Sequence, residues 1–213
     1  MGFEQLQSYR RQFLEENKNR DHVIIKGQNH IVLSTPHAVS QVRLGRPKQA
    51  EIGTLSTALY LQKTHNCYLI AKTKNNFDDA NFDTKSRYKD ALIRLIEKND
   101  INYVVDLHGL ASKRDCDVNL GTHLSENISV DKDAFDTLYN TLVKNNFVTT
   151  IDQPFMGGNQ TIAGSMRLMF PHIWTIQIEV NCAITNKKEN FKKYKLLLKT
   201  LSEWIEYLKS KKG

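Results

Sequence analysis

Short β-rich runs alternate with amphipathic helical stretches along most of this chain, and that alternation limits the fold more than any other feature. Residues 22–26 and 31–35 have the composition of strands, the second closed by Pro36, which disfavours helix at the residue before it. Residues 67–72 form another β-rich run. Residues 103–107, Tyr-Val-Val-Asp-Leu, read as a strand built for a core, and residues 117–121 and 147–151 as extended segments. In residues 173–180, Ile176, Ile178 and Val180 fall on one face and Thr175, Gln177 and Glu179 on the other, the two-residue period of a strand. Helical spacing lies between these runs. It covers residues 48–63, with Pro47 suited to the first helical position. It returns over residues 87–98, with Tyr88, Leu92, Leu95 and Ile96 on one side, and over residues 133–145. Phe3, Leu6, Tyr9 and Phe13 mark an N-terminal helix; Phe191, Tyr194, Leu198, Leu201, Ile205 and Leu208 mark a C-terminal one. Strands interleaved with helices of this length predict an α/β fold, a three-layer αβα sandwich around a mostly parallel mixed sheet.

With 213 residues the chain can bury a sizeable core, and no repeat, low-complexity stretch or Pro/Gly/Ser-rich linker divides it. Its 40% hydrophobic and 25% charged positions exclude the disordered, collagen-like and disulfide-scaffold classes. No apolar run approaches the roughly 20 residues of a membrane-spanning helix. The opening residues are charged throughout and lack the apolar core of a signal peptide, so a soluble, cytoplasmic protein with no membrane partner is expected. Cys67, Cys116 and Cys182 are odd in number and far apart, which reads as reduced thiols. The net charge of +7 is local. Nine lysines against three glutamates in residues 187–213 carry six of the seven charges. That stretch reads as a docked helix with a solvated lysine face. It lacks the aromatic interleaving that single-stranded nucleic acid requires, so no nucleic-acid partner is expected.

In folds of this class ligands gather at the carboxyl ends of the strands. Three polar groups fall there: Ser34-Thr35-Pro36-His37-Ala38, Asp106-Leu107-His108-Gly109 and Gln177-Ile178-Glu179-Val180-Asn181. Two imidazoles and a carboxylate meeting at strand ends suit zinc in an open catalytic site. Asp106 shares a strand face with His108 and is placed to support a neighbouring ligand. Each residue also has a plainer explanation. A histidine after a strand serves as a loop residue, Glu179 alternates with Thr175 and Gln177 as on a solvated strand face, and Glu51 at a helix start offsets the helix dipole. Spacing alone leaves both explanations open.

Taken in order, Pro36-His37-Ala38, the NNFDDAN stretch at 75–81, DLHG at 106–109, DVNLGT at 117–122, DQPFMGG at 152–158 and IQIEVN at 176–181 resemble the N-formylglutamate amidohydrolase family. That family is similar in fold and site to zinc carboxypeptidases and to aspartoacylase and succinylglutamate desuccinylase enzymes. The resemblance spans roughly residues 31–181 and implies one N-formylglutamate amidohydrolase-like catalytic domain over residues 1–213, with a phosphorylase/hydrolase-like fold. It implies a Zn2+-dependent hydrolase cleaving the amide of a small N-acyl amino acid or a short peptide-like substrate. His37 and His108 match the imidazole ligands. Position 40 is Ser where related enzymes carry the Glu of His-x-x-Glu, which leaves Glu51 as the substitute third ligand. Glu179 matches the general base, and Asn81 the residue that orients substrate. Arg43, Arg46 and Arg114, with Arg87 and Arg167 behind them, are the candidates to grip a substrate carboxylate or the oxyanion. Two rivals follow: a carboxypeptidase-like activity on the same site, and a non-catalytic binding module using the basic C-terminal helix.

Overall fold

In a computed structural model, which describes residues 1–211, the apolar runs assemble into a seven-stranded sheet covered by helices on both faces. The strands are β1 (His22–Ile25), β2 (Ile31–Thr35), β3 (Gln41–Arg43), β4 (Arg46–Lys48), β5 (Tyr68–Lys72), β6 (Tyr103–Leu110), β7 (Val118–Gly121), β8 (Thr149–Ile151) and β9 (Trp174–Asn181). The helices are α1 (Phe3–Asn17), α2 (Ile52–His65), α3 (Arg87–Lys98), α4 (Lys132–Lys144), α5 (Ile162–Met169), α6 (Cys182–Asn186) and α7 (Phe191–Ser210). The main sheet runs β1-β5-β2-β6-β9-β7-β8, and β3 pairs with β4 in a separate ribbon. Neighbours β5/β2, β2/β6, β6/β9 and β7/β8 are parallel, while β1/β5 and β7/β9 are antiparallel. This is the αβα sandwich with a mostly parallel mixed sheet that the alternation predicts.

Side-chain alternation sorts the two cores. Ile31 and Leu33 of β2, Val105 and Leu107 of β6, and Trp174, Ile176 and Ile178 of β9 point to one face and pack under α1, α2, α4 and α7. Val32 and Val104 point to the other, against Tyr88 and Leu92 of α3 and Ile162 and Met166 of α5. Past Val104 on this second face the residues turn polar: Asp106 and His108 on β6, with Thr175, Gln177 and Glu179 beside them on β9. Here the helices leave the sheet open, and the site lies there. Helix α7 seats Tyr194, Leu197, Leu201, Trp204, Ile205 and Leu208 in the first core. Several of its lysines make surface ion pairs, Lys193 with Asp117 and Lys199 with Glu203. The C-terminal lysine helix is thus a docked element; Lys212 and Gly213 lie outside the described residues. No helix among the described residues is long and apolar enough to cross a membrane.

Two segments differ from the sequence expectation. The helix expected from residue 48 begins at Ile52, because Leu44 and Gly45 both adopt positive φ (50° and 72°) and turn the chain into the β3–β4 hairpin. Pro47 sits on that two-stranded ribbon, where its missing N–H costs no ladder bond in a wider sheet. Helix α5 was not legible: its Gly164 and Ser165 weaken helical propensity, and the cap at Thr161, which accepts from the Gly164 N–H, supplies what the pattern lacks.

The first turn of α2 must approach α6 closely. A Cβ on Gly53 would lie 2.0 Å from Thr185 Oγ1 and 2.2 Å from Thr185 Cβ. Gly53→Ala gains about 1 kcal/mol of helix propensity, but overpacking of this severity costs about 3 kcal/mol. A net loss of about 2 kcal/mol is expected in urea denaturation; an unchanged or raised midpoint would contradict the packing described.

Candidate metal centre

His37 lies two residues beyond the end of β2, after Pro36, which favours extended backbone at Thr35. His108 lies inside β6, which extends to Leu110, three residues beyond the expected end. Glu51 precedes α2. Its N–H donates to the His37 carbonyl at 2.9 Å, which ties the end of the hairpin segment to the first histidine. Its side chain reaches β6, where the Gly109 N–H donates to Glu51 Oε2 at 2.9 Å. Position 109 is glycine for a steric reason: a Cβ there would sit 3.0 Å from the Glu51 Cβ.

These three residues converge. His37 Nδ1 lies 3.0 Å from His108 Nδ1, His37 Nδ1 lies 2.9 Å from Glu51 Oε1, and His108 Nδ1 lies 3.1 Å from Glu51 Oε2. One donor atom from each falls within 4.8 Å of the others. The opposite ring nitrogens are already engaged: His37 Nε2 is 2.8 Å from Asp79 Oδ1, and His108 Nε2 is 2.9 Å from Asp106 Oδ2. A carboxylate at Nε2 fixes the proton there and leaves the lone pair at Nδ1. With that tautomer two lone pairs and a carboxylate face one buried point, an arrangement that could hold a metal cation. Nitrogen and oxygen donors in this number suit a borderline divalent ion such as zinc.

The electrostatics agree. Burial alone would raise the Glu51 carboxyl, but the His37 and His108 imidazoles overcome it and hold it well below its usual range. For His108, burial disfavours the imidazolium, yet Asp106 and Glu51 prevail and raise it well above 6.5. Asp79 would likewise be raised by burial, and His37 and Arg43 bring it below its ordinary value. The cluster favours positive charge at its centre.

Glu179 stands opposite His108 in the β6–β9 register. It is 5% exposed, so it does not lie on a solvated face. Burial, reinforced by the Glu51 charge, pushes it up to about 7 against the pull of His108, His37 and Lys48. Gln177 Nε2 donates to its Oε1 at 2.9 Å. Both residues line a cleft of about 590 Å³ together with His37, Glu51 and His108, walled by the segment 154–161.

The remaining sequence candidates separate. Arg43 lines the cleft, with Nε donating to Asp79 Oδ2 at 2.7 Å and its guanidinium over the Phe82 ring. Asn81 lines it too; its Oδ1 accepts from the Ile162 N–H at 2.7 Å, which leaves the amide NH2 for a ligand. Arg46 is exposed on the outer hairpin, away from the cleft. Arg114 is exposed in the turn after β6, where its carbonyl accepts from Asn181, and Arg167 pairs with Glu126. Three residues went unassigned in the sequence. Asp79 sits in the Asp-Asp pair of the 75–81 motif. Gln177 shares the alternating face of Glu179. Lys48, whose Nζ is 2.6 Å from Glu51 Oε1, carries no signal beyond its charge.

No protein-family model matches the sequence, and no curated protein matches it. Solved structures do match in fold. An N-formylglutamate amidohydrolase from Ralstonia eutropha superposes with a TM-score of 0.66 at 12% identity, covering 88% of this chain and 97% of its own. The gene product Atu2144 of Agrobacterium tumefaciens gives 0.62 at 11% identity, covering 91% and 98%. A metallo-carboxypeptidase from Burkholderia cenocepacia gives 0.54 at 11% identity, covering 92% and 68%. At these identities the likeness is one of fold.

The loop that brings Asp79 to His37 is anchored from below. Lys72, fully buried at the end of β5, reaches Asp21 Oδ1 at 2.8 Å and Asp78 Oδ2 at 2.7 Å, beside Asp79 itself. Lys72→Met leaves both carboxylates without their cation. Partial exposure of the two aspartates tempers the cost to about 3 kcal/mol, read as a lower urea midpoint. A variant as stable as the parent would show that Lys72 does not anchor the loop.

Proposed function

We propose that the protein is a zinc-dependent amidohydrolase of the N-formylglutamate amidohydrolase family, a single catalytic domain that works in the cytoplasm on a small N-acyl amino acid or short peptide-like amide. One observation carries this reading: two buried imidazoles turn their Nδ1 atoms toward each other at 3.0 Å, with Glu51 between them and a carboxylate behind each ring. Burying such a set of charged groups is costly unless a positive charge lies among them, which supports a metal ion at this point. His37, His108 and Glu51 would hold the ion. Zinc held there would supply Lewis acidity and would bring the pKa of a bound water down toward neutrality.

The chain's own residues supply the rest. Glu179, buried beside His108 and poised near neutral pH, takes a proton from the attacking water at a carboxylate oxygen as the water oxygen bonds to the amide carbon, and returns it to the leaving amine nitrogen as the C–N bond breaks. Gln177 keeps that carboxylate in place through its Nε2–H. The Asn81 amide NH2, with its oxygen already committed to Ile162, orients substrate in one sense only. Arg43 has Nε committed to Asp79 and offers its terminal amino groups to a carboxylate or a developing oxyanion. The segment 154–161 closes one side of the cleft and limits water around the reacting amide.

Protein purified without chelators should contain close to one zinc per chain. His108→Ala should strip it, and Glu179→Gln should keep it while turnover falls at least about 100-fold. Asp106→Asn should weaken zinc binding about 10- to 100-fold in chelator competition, because its partner ring loses orientation. Protein that holds no transition metal under these conditions would refute the reading.

A further inference from the structure

The β3–β4 ribbon places its cations on one side. In its antiparallel register Arg43 faces Arg46 and Gln41 faces Lys48, so Arg43, Arg46 and Lys48 project from the same face, with Val42 and Pro47 on the other. That face does two things. Arg43 and Lys48 line the cleft beside the metal-site residues, and with Arg46 they also line a second opening of about 700 Å³ on the hairpin. A continuous basic strip therefore runs from the reacting centre to the surface.

The strip is only partly neutralised. Arg43 spends Nε on Asp79, and its terminal amino groups make no hydrogen bond among the described residues. Lys48 pairs with Glu51, a carboxylate that an ion at the centre would claim. Arg46 makes no salt bridge among the described residues and is exposed. An acyl amino acid with one carboxylate is matched by Arg43 alone. Three cations in a row fit a longer anion.

We propose that this ribbon face is a subsite for successive carboxylates, so that the amide cleaved lies in an acidic, peptide-like chain and not only in a lone acyl amino acid. This rests on the hydrolase reading above and names its substrate class. Guanidinium groups accept carboxylates in a two-pronged grip, and the spacing along a ribbon resembles the spacing of side chains on an extended peptide. The segment nearest the centre binds to Arg43 and Lys48, and the more distant carboxylate to Arg46.

The test measures binding and turnover separately. Fluorescently labelled peptides of one, two, three and four glutamates are titrated into zinc-loaded Glu179→Gln protein by anisotropy, and the matching amides are assayed with the parent enzyme. Affinity should rise about three- to tenfold with each of the second and third carboxylates and then level off. Arg46→Glu should abolish most of the gain from the third. Lys195→Glu on α7, an equal change of charge far from the hairpin, should leave the gain intact. Arg46→Gln gives the same comparison without a new charge. Affinity that does not depend on carboxylate number, or an equal loss in Lys195→Glu, overturns the subsite. So does equal competition by an oligonucleotide of the same charge, which would point to general polyanion binding. The two readings fail differently: stepwise binding with no turnover of any amide leaves the subsite standing without the hydrolase, and turnover of acyl amino acids with flat binding does the reverse.

Discussion

The structure depends on a balance of buried charge. Four carboxylates, from Glu51, Asp79, Asp106 and Glu179, gather around two histidines; all but the partly exposed Glu51 are buried, and Arg43 and Lys48 approach from one side. Such a set is costly to bury unless a positive charge lies within it. Asp106 and Glu51 favour a positive charge on His108 and raise its imidazole well above the ordinary range in spite of its burial. A divalent ion held by His37, His108 and Glu51 would place positive charge among all of them.

The scaffold makes this balance possible by simple parity. Strands β6 and β9 are parallel and in register, so Asp106 and His108 stand beside Gln177 and Glu179. One face of the pair is entirely apolar and holds the molecule together through Val105, Leu107, Ile176 and Ile178. The other is free to carry chemistry. A one-residue slip in either strand would bury the polar set under α2 and α7 and expose the core, so the register that stabilises the fold is also the register that aligns the site. The supports come from outside the pair: Ser34 donates to Asp106, Tyr88 of α3 bonds both the Ser34 hydroxyl and the Thr35 N–H, and Lys72 secures the segment before Asp79.

Much of this was legible in the sequence. The strict alternation at 173–180 gave the orientation of Glu179, and the strand ending in Asp-Leu-His-Gly put His108 and Asp106 on one face. His37 was marked by the proline that ends its strand. Glu51 was visible only through the missing Glu at position 40, and the structure explains how it reaches: Gly109 leaves the space, and the hairpin returns the chain to His37. The hairpin itself was hidden because Leu44 holds a positive φ that its side chain does not advertise. Asp79 and Lys48 were hidden for a different reason. Asp79 acts through His37, 42 positions away, which no local period encodes, and the Lys48–Glu51 pair, though local, depends on the hairpin that turns the chain before α2. Among the arginines, charge alone did not separate Arg43, which lines the cleft, from Arg114, which does not.

The most direct test of the central claim is a crystal structure of the zinc-loaded protein with anomalous data collected on both sides of the zinc absorption edge. The account predicts one strong anomalous peak about 2.0–2.2 Å from the Nδ1 atoms of His37 and His108 and from an oxygen of Glu51, with the Nε2 atoms still on Asp79 and Asp106. A peak elsewhere on the molecule, or ligation through Nε2 with the two aspartates released, would contradict it.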